Sequence, residues 1–393
     1  MKKPLRPLFL LMLCLVLTAL PATAFGASAP TTKTPAADLR TTMAKIHGEH
    51  AYYTVIAMQK RFDKAPDASE AMNLVTANSD TATMMVSELY GQSAAQTFRG
   101  GWDKHVSLLM DYVDATIAKN DAARKQATAA LKANAASMSA VLNNLNPYLD
   151  RKTVEKSLLV HEQDLLQAFD GYASGKYAAA YTAAHNAYVH TATLGAMMAT
   201  AITKQFPAKF DRTTTQTSAA YLRQQMGQGL GEHAILSILV LQKAHDKAPD
   251  YNGAKAALDK NTAALTATHR KLFGAGAATT FNQQWNRHIA DYQAYLKATL
   301  AGNEAGRKAA KADLGDFVAK LTAFQVNRLP LDKTMTYQAN AMHGAHVITA
   351  IDSYHNANYA KTYQALRIGY NHMWMTGNDL SEAVVKKMPG MFK

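Results

Sequence analysis

A segment of about 180 residues occurs twice in this chain, and this internal repeat constrains the fold more than any other feature of the sequence. The motif Gly-Glu-His-Ala at 48–51 recurs at 231–234, 183 positions later. The motif Asp-Lys-Ala-Pro-Asp at 63–67 recurs at 246–250 with the same offset. Repeats of this length are typical of a structural unit used more than once. The second copy is therefore expected to fold like the first.

The repeated unit has the composition of a helical protein. The 393 residues include only 21 Gly and 11 Pro, and alternation of β-branched residues is absent. Short segments with Gly, Pro or polar residues divide the first copy into six helical segments. Because the connections are short, neighbouring helices are expected to be antiparallel. We therefore predict an all-α protein, a tandem duplication of an antiparallel up-and-down helical bundle with about six helices per repeat. The predicted segments of the first copy are 37–62, 67–89, 92–119, 121–145, 151–173 and 176–205.

The first thirty residues have the pattern of a secretory signal. Lys2, Lys3 and Arg6 precede an apolar run at 8–20, which is too short for a membrane span, and small residues follow it. We predict a protein that is exported, to the periplasm or as a secreted protein, with no transmembrane segment in the mature chain. The predicted division is a signal peptide at 1–24 (with 29 as the alternative cleavage point), a flexible linker at 25–36, repeat 1 at 37–212 and repeat 2 at 213–393.

Cysteine content and charge restrict the possible ligands. The only cysteine, Cys14, lies in the predicted signal, so the mature chain would have no disulfide and no thiolate metal site. The formal net charge is +13. For an exported protein, this charge indicates anionic cell-envelope components as partners rather than nucleic acid.

Four histidines match between the two copies, and each falls on the apolar stripe of its helix. On the first helix, for example, the stripe runs through Met43, Ile46, His50 and Tyr53. Each His lies 11 to 15 residues into its helix, so four imidazoles per copy could converge at one level of the bundle. The matching pairs are His50 and His233, His105 and His288, His161 and His343, and His190 and His372.

Converging core imidazoles need either a mutual hydrogen-bond network or a metal ion. Neutral imidazoles suit copper or zinc. Glu-x-x-His pairs, which ferritin-like di-iron bundles require, do not occur on these stripes. Glu49 and Glu232 precede a stripe His by one residue, so they point elsewhere and could accept a hydrogen bond from a ligand on a neighbouring helix. Packing alone could also account for these histidines.

The two copies are not identical in their polar core residues. His47 and His185 of the first copy are replaced by Leu230 and Arg367 in the second. The second copy adds His346, three residues after His343 on the same helix. This pair could hold one ion from a single helix, so His346 joins the eight matched histidines as a candidate ligand.

Several short motifs resemble an uncharacterised family of exported bacterial all-helical proteins with spaced core histidines. The resemblance rests on the helix of His50 and on the motifs Tyr90-Gly91, Asn146-Pro147-Tyr148, Val160-His161-Glu162 and Phe206-Pro207. It covers nearly all of the first copy and implies an all-α fold, without an established activity.

The sequence favours an exported copper- or zinc-binding protein that binds, buffers or delivers the metal ion. One alternative is a structural or interaction module of the cell envelope, with histidines in core networks and a basic surface. Another is a haem-binding protein that uses some of these histidines. No nucleophile motif or acid/base pair stands out, so binding is favoured over catalysis.

Overall fold

The computed structural model describes residues 29–392, which form eleven α-helices and, within that range, no β-strand. The predicted signal peptide lies outside the described residues. We call residues 29–212 the first half and residues 213–392 the second half. The helices are α1 (Pro35–Phe62), α2 (Ala68–Tyr90), α3 (Gln92–Ile117), α4 (Asp121–Leu145), α5 (Arg151–Ala173), α6 (Tyr177–Gln205), α7 (Ser218–His245), α8 (Tyr251–Leu300), α9 (Glu304–Val326), α10 (Lys333–His355) and α11 (Tyr359–Lys387).

The all-α prediction is confirmed, and the six segments predicted for the first copy agree with α1 to α6 within two residues at every end. Polar side chains cap the helices at matching positions in the two halves, since each accepts a hydrogen bond from a backbone N–H of the first turn. These caps are Thr34, Asn120 and Asp150 in the first half and Thr217, Asn303 and Asp332 in the second.

The second half has five helices because α8 continues through a backbone break. At Gly274 the chain has φ 85° and ψ 175°, which is not helical. Gly91, 183 positions earlier, has φ 87° and ψ 169° and separates α2 from α3. Only glycine adopts this conformation readily. The same residue therefore produces the same break in both halves.

Two central helices are buried on all sides. In α1 every residue from 46 to 60 is buried, and in α7 every residue from 230 to 243 is buried. Helix α1 packs against α6 and α7 packs against α11, and α1 and α7 also contact each other. One hydrophobic cluster includes Tyr53 and Tyr188 of the first half together with Leu239 and Tyr370 of the second. The two halves thus share a core rather than forming separate bundles.

Each half contains a buried ion pair that is hydrogen-bonded to tyrosines of the other half. The Lys60 ammonium lies 2.7 Å from the Asp67 carboxylate and donates a hydrogen bond to the Tyr354 hydroxyl of the second half. Tyr363, also from the second half, donates to Asp67 at 2.8 Å. The second half repeats this arrangement with tyrosines of the first half. There the ion pair joins Lys243 and Asp250, and the tyrosines are Tyr172 and Tyr181.

The chain before α1 is also packed. Part of the predicted flexible linker, 25–36, lies within the described residues, and α1 begins inside it at Pro35. Thr32 is buried, and its backbone N–H and hydroxyl both donate to the Glu382 carboxylate of α11. These last linker residues are therefore fixed against the second half. None of the described helices combines the length and the apolar character that a membrane span requires.

We expect Gly274→Ala to destabilise the protein by about 1–3 kcal/mol, because alanine is strained at this φ and ψ. A Cβ at Gly274 would meet no atom within 4 Å, so the effect comes from the backbone alone. Gly276 is equally open but helical, so Gly276→Ala is the matched control and should stabilise by up to about 1 kcal/mol. Urea unfolding followed by circular dichroism measures both. Equal effects of the two substitutions would contradict the assigned break.

We expect Lys60→Met to lower the free energy of unfolding by about 3–5 kcal/mol, because it leaves the Asp67 carboxylate buried without its cation. The control is Arg61→Met. The side chains of Arg61 and its partner Asp114 are 47% and 48% exposed, so this ion pair should contribute less than about 1 kcal/mol. Urea unfolding of both variants is the test. If Lys60→Met lowers the free energy of unfolding by no more than Arg61→Met does, the buried ion pair does not stabilise the protein as described.

Candidate metal centre

Three histidines from three helices of the first half meet in the core. His50 of α1, His105 of α3 and His161 of α5 place one ring nitrogen each within 4.8 Å of the others. The Nε2 atoms of His50 and His105 are 3.3 Å apart. All three side chains are buried. We call this group the first triad.

The second half contains an equivalent group. His233 of α7, His288 of α8 and His343 of α10 also place ring nitrogens within 4.8 Å of one another. The Nε2 atoms of His233 and His288 are 3.2 Å apart. We call this group the second triad. The six rings lie in the core, where the apolar stripes of their helices predict them.

Several ring nitrogens of the triads have no hydrogen-bond partner among the described residues. In the first triad this holds for Nδ1 of all three rings, although the Glu162 carboxylate lies beside that of His105. In the second triad it holds for Nδ1 of all three rings and also for Nε2 of His343. A buried polar atom without a partner costs about 1–3 kcal/mol. Both ring nitrogens of His343 are without one, so this ring has a lone pair available to a ligand.

The environment favours the neutral form of five of the six triad imidazoles. Burial, followed by the proximity of other imidazoles, lowers the pKa of His50, His161, His233 and His343 well below the usual value. Burial lowers the pKa of His288 to about 3. A neutral imidazole keeps a lone pair for a metal ion, whereas an imidazolium cannot bind one.

A buried carboxylate supports the first triad. Oε1 of Glu162 lies 2.7 Å from Nδ1 of His105, although the ring N–H is not aligned for a hydrogen bond. A carboxylate behind a histidine orients the ring and strengthens it as a metal ligand. Gly344, which follows His343, takes the place of Glu162 in the second half.

The sequence pointed to Glu49 and Glu232 for this supporting role, but the structure uses them elsewhere. Glu49 accepts a hydrogen bond from Asn78. Glu232 accepts hydrogen bonds from Tyr52 and His185 of the first half, at 2.7 and 2.6 Å. Glu162 was missed because it is adjacent to His161, while the ring it supports belongs to another helix.

A tryptophan covers each triad. The ring of Trp102 lies 4.5 Å from that of His50, and the ring of Trp285 lies 4.6 Å from that of His233, measured between centroids. Trp285 lies in the hydrophobic core, and Trp102 is partly buried against it.

The space around the triads differs between the halves. A cavity of about 50 Å³ adjoins the first triad, and Asn134 and Met138 are part of its lining. In the second half Phe317 stands 183 positions after Asn134 and stacks on His288 with 4.4 Å between ring centroids. The cavity beside the second triad is only about 20 Å³. The first triad therefore has room for an additional small ligand, and the second is closely packed.

Three histidines predicted as ligands lie outside the triads. Nε2 of His190 donates to the backbone carbonyl of Ser157 at 3.0 Å, and Nε2 of His372 donates to that of Ala339 at 2.8 Å. The ring of His346 lies 5.6 Å from that of His372 and is not part of the second triad. The structure thus brings together three rather than four histidines in each half.

Comparisons with protein-family models, curated proteins and solved structures find no match to this chain. The chemistry of the site therefore rests on its geometry. Each triad offers three buried imidazole nitrogens, which is a donor set for a transition-metal ion.

The lowered pKa of His288 predicts an acid-sensitive stability. Its pKa is about 3 when folded and about 6.5 when unfolded, so below pH 6.5 the unfolded chain takes up a proton that the folded one does not. The free energy of unfolding should therefore fall by about 2 kcal/mol from this residue alone between pH 7 and pH 5. Urea unfolding of metal-free protein at both pH values measures it.

The His288→Leu variant should lose this part of the pH dependence. Phe317→Leu, which changes the packing on the same ring without removing a titrating group, should keep it. An identical pH dependence in wild type and His288→Leu would show that His288 is not held neutral in the folded protein.

Proposed function

We propose that this protein is an exported metal-binding protein whose histidine triads each hold a copper or zinc ion for binding, buffering or delivery. The observation that carries the proposal is the convergence of three buried imidazoles in each half. The signal pattern of the sequence supports export, and the internal repeat supports an origin of the two halves by duplication.

The spacing of the donor atoms supports a tetrahedral or trigonal ion. Metal–nitrogen bonds of about 2.0–2.1 Å place two ligands of a tetrahedral ion about 3.3–3.4 Å apart. The closest Nε2 pairs of the two triads are 3.3 and 3.2 Å apart. The third ring would need only a small movement to complete the site, since all three nitrogens already lie within 4.8 Å.

Charge favours copper(I) over zinc in the first triad. A buried charge is costly unless an opposite charge neutralises it. The Glu162 carboxylate beside His105 supplies one negative charge. It would balance a monovalent ion fully and a divalent ion only in part. The second triad lacks this carboxylate, so we propose that it binds the same ion more weakly.

The environment supports binding rather than catalysis. The triads are buried, and the cavity at the first triad has space for little more than a few water molecules. Ligand sites for drug-sized molecules usually occupy about 300–1,000 Å³, so these cavities also disfavour haem. The net charge of +13 supports a second contact of the protein, with anionic envelope components.

One observation favours the alternative of an interaction module with metal-free core networks. Nε2 atoms 3.3 Å apart can also share a proton, with one ring as donor and the other as acceptor. This hydrogen bond would satisfy two of the six ring nitrogens in the first triad. It leaves the ring of His161 outside the pair, whereas one metal ion would contact all three rings, so metal binding accounts for more of the site.

The test is metal analysis of the mature, untagged protein after reconstitution with copper(I), copper(II) or zinc. The two triads of wild type should bind up to two equivalents per chain, and His50→Ala should lose the equivalent of the first triad. His190→Ala is the matched control, because its ring is bonded to a backbone carbonyl, and it should keep both. Glu162→Gln should weaken the first site about 10–100-fold in competition with a chelator.

Two results would contradict the proposal. One is a metal-free protein that takes up none of these ions in titration. The other is metal uptake that is equal in wild type, His50→Ala and the control. In either case the triads would be core networks, and the interaction module would be the better description.

A further inference from the structure

A further pair of histidines lies at the surface, outside both triads. His245 is the last residue of α7, and His355 is the last residue of α10. Each follows a residue of the second triad by twelve positions on the same helix, since His233 lies on α7 and His343 on α10. The two helices that bring His233 and His343 together in the core therefore also bring this pair together at their ends.

The rings of the pair are in edge-to-face contact, with 5.6 Å between their centroids. Nε2 of His245 lies 3.4 Å from Nδ1 of His355. His355 is exposed, and the side chain of His245 is 23% exposed. The distance matches the edge of a tetrahedral metal site, about 3.3–3.4 Å. Both donor atoms are within reach of a solvated ion.

A carboxylate and a tyrosine hold His245 in position. Oδ1 of Asp246 lies 2.9 Å from Nδ1 of His245, so this nitrogen donates its proton to the carboxylate. Oδ2 of Asp246 accepts a hydrogen bond from the Tyr354 hydroxyl at 2.6 Å. With the proton fixed on Nδ1, the lone pair of His245 is on Nε2, directed toward His355. This is the carboxylate–histidine arrangement found behind metal ligands.

We propose that His245 and His355 form a solvent-exposed site for a divalent transition-metal ion such as Zn²⁺ or Cu²⁺, with Asp246 supporting His245. Water completes the coordination, since only two protein donors face the ion. The site does not depend on the buried triads. It should bind more weakly than a three-histidine site and exchange its ion faster, because both ligands are open to solvent.

The surface site and the second triad are separate. Twelve residues of helix correspond to about 18 Å. The void beneath His245, lined in part by Ile238 and Val347, is only about 10 Å³, which is at the lower limit for a single water molecule. A hydrated ion does not fit there. The two sites should therefore fill independently.

The first half contains an equivalent aspartate and tyrosine, but not the two surface histidines. Tyr172 donates to Asp63 as Tyr354 does to Asp246. Phe62 and Ala173 occupy the positions of His245 and His355. The histidine pair is thus a feature of the second half alone, and the first half offers a place to build a second copy of it.

The experiment is calorimetric titration of the mature, untagged protein with ZnCl₂ and with CuCl₂. It is carried out in a His161→Leu/His343→Leu background, which removes one ligand from each triad. One equivalent should bind, and His245→Ala or His355→Ala should abolish it. Asn356→Ala, next to His355 and equally exposed, is the control and should retain it. Asp246→Asn should weaken binding about 10–100-fold.

A gain of function provides an independent check. Phe62→His/Ala173→His should add a second equivalent of similar affinity, because Asp63 and Tyr172 are already in place. Binding that is unchanged in His245→Ala and His355→Ala would overturn the proposal, and so would no binding by the background variant. The proposed function of the triads is tested separately, by the loss of metal in His50→Ala with the surface pair intact.

Discussion

The burial of α1 and α7 on all sides is the constraint on which the rest of the structure depends. A helix surrounded by protein has no polar face toward water, yet each of these two carries a glutamate, a histidine and a lysine in its buried stretch. Every such group needs a partner inside the protein. Lys60 and Lys243 each form an ion pair with an aspartate, and two tyrosines complete each network. Glu232 accepts hydrogen bonds from Tyr52 and His185. His50 and His233 each lie against two other histidines, and each keeps a ring nitrogen without a hydrogen-bond partner. Because the ring nitrogens converge, these histidines are the best candidates for metal ligands.

Hydrophobic periodicity and helix breaks were sufficient to predict the helices, because both are local properties of the chain. They were also sufficient to predict that His50, His105 and His161 lie in the core. They could not show that His190, on an equally good stripe, bonds to the carbonyl of Ser157. A stripe fixes the side of a helix, whereas the rotation of a ring and its neighbour on the next helix depend on packing. Glu162 and the contacts between the halves depend on packing in the same way.

The two halves keep the same supporting groups and differ in what those groups surround. Caps, the glycine break and the buried ion pairs occur at matching positions in both. The residues beside the triads have diverged, as Asn134 and Phe317 show, and so have the ends of the helices, as Phe62 and His245 show. Packing around a triad controls its access to small ligands, and a carboxylate beside it controls the charge it tolerates. Divergence of a few residues therefore changes the surroundings of each triad without changing the helices.

The reciprocal ion pairs have a consequence for how the chain matures. During synthesis, Lys60 and Asp67 leave the ribosome nearly 300 residues before Tyr354 and Tyr363, the tyrosines that complete their network. At roughly 5–20 residues per second, that interval lasts on the order of tens of seconds. During this interval the charges of Lys60 and Asp67 lack the tyrosine hydroxyls that complete their hydrogen bonds. The first half also has an apolar surface that only the second half covers. A chain truncated after the first half would therefore expose this surface to proteases and chaperones.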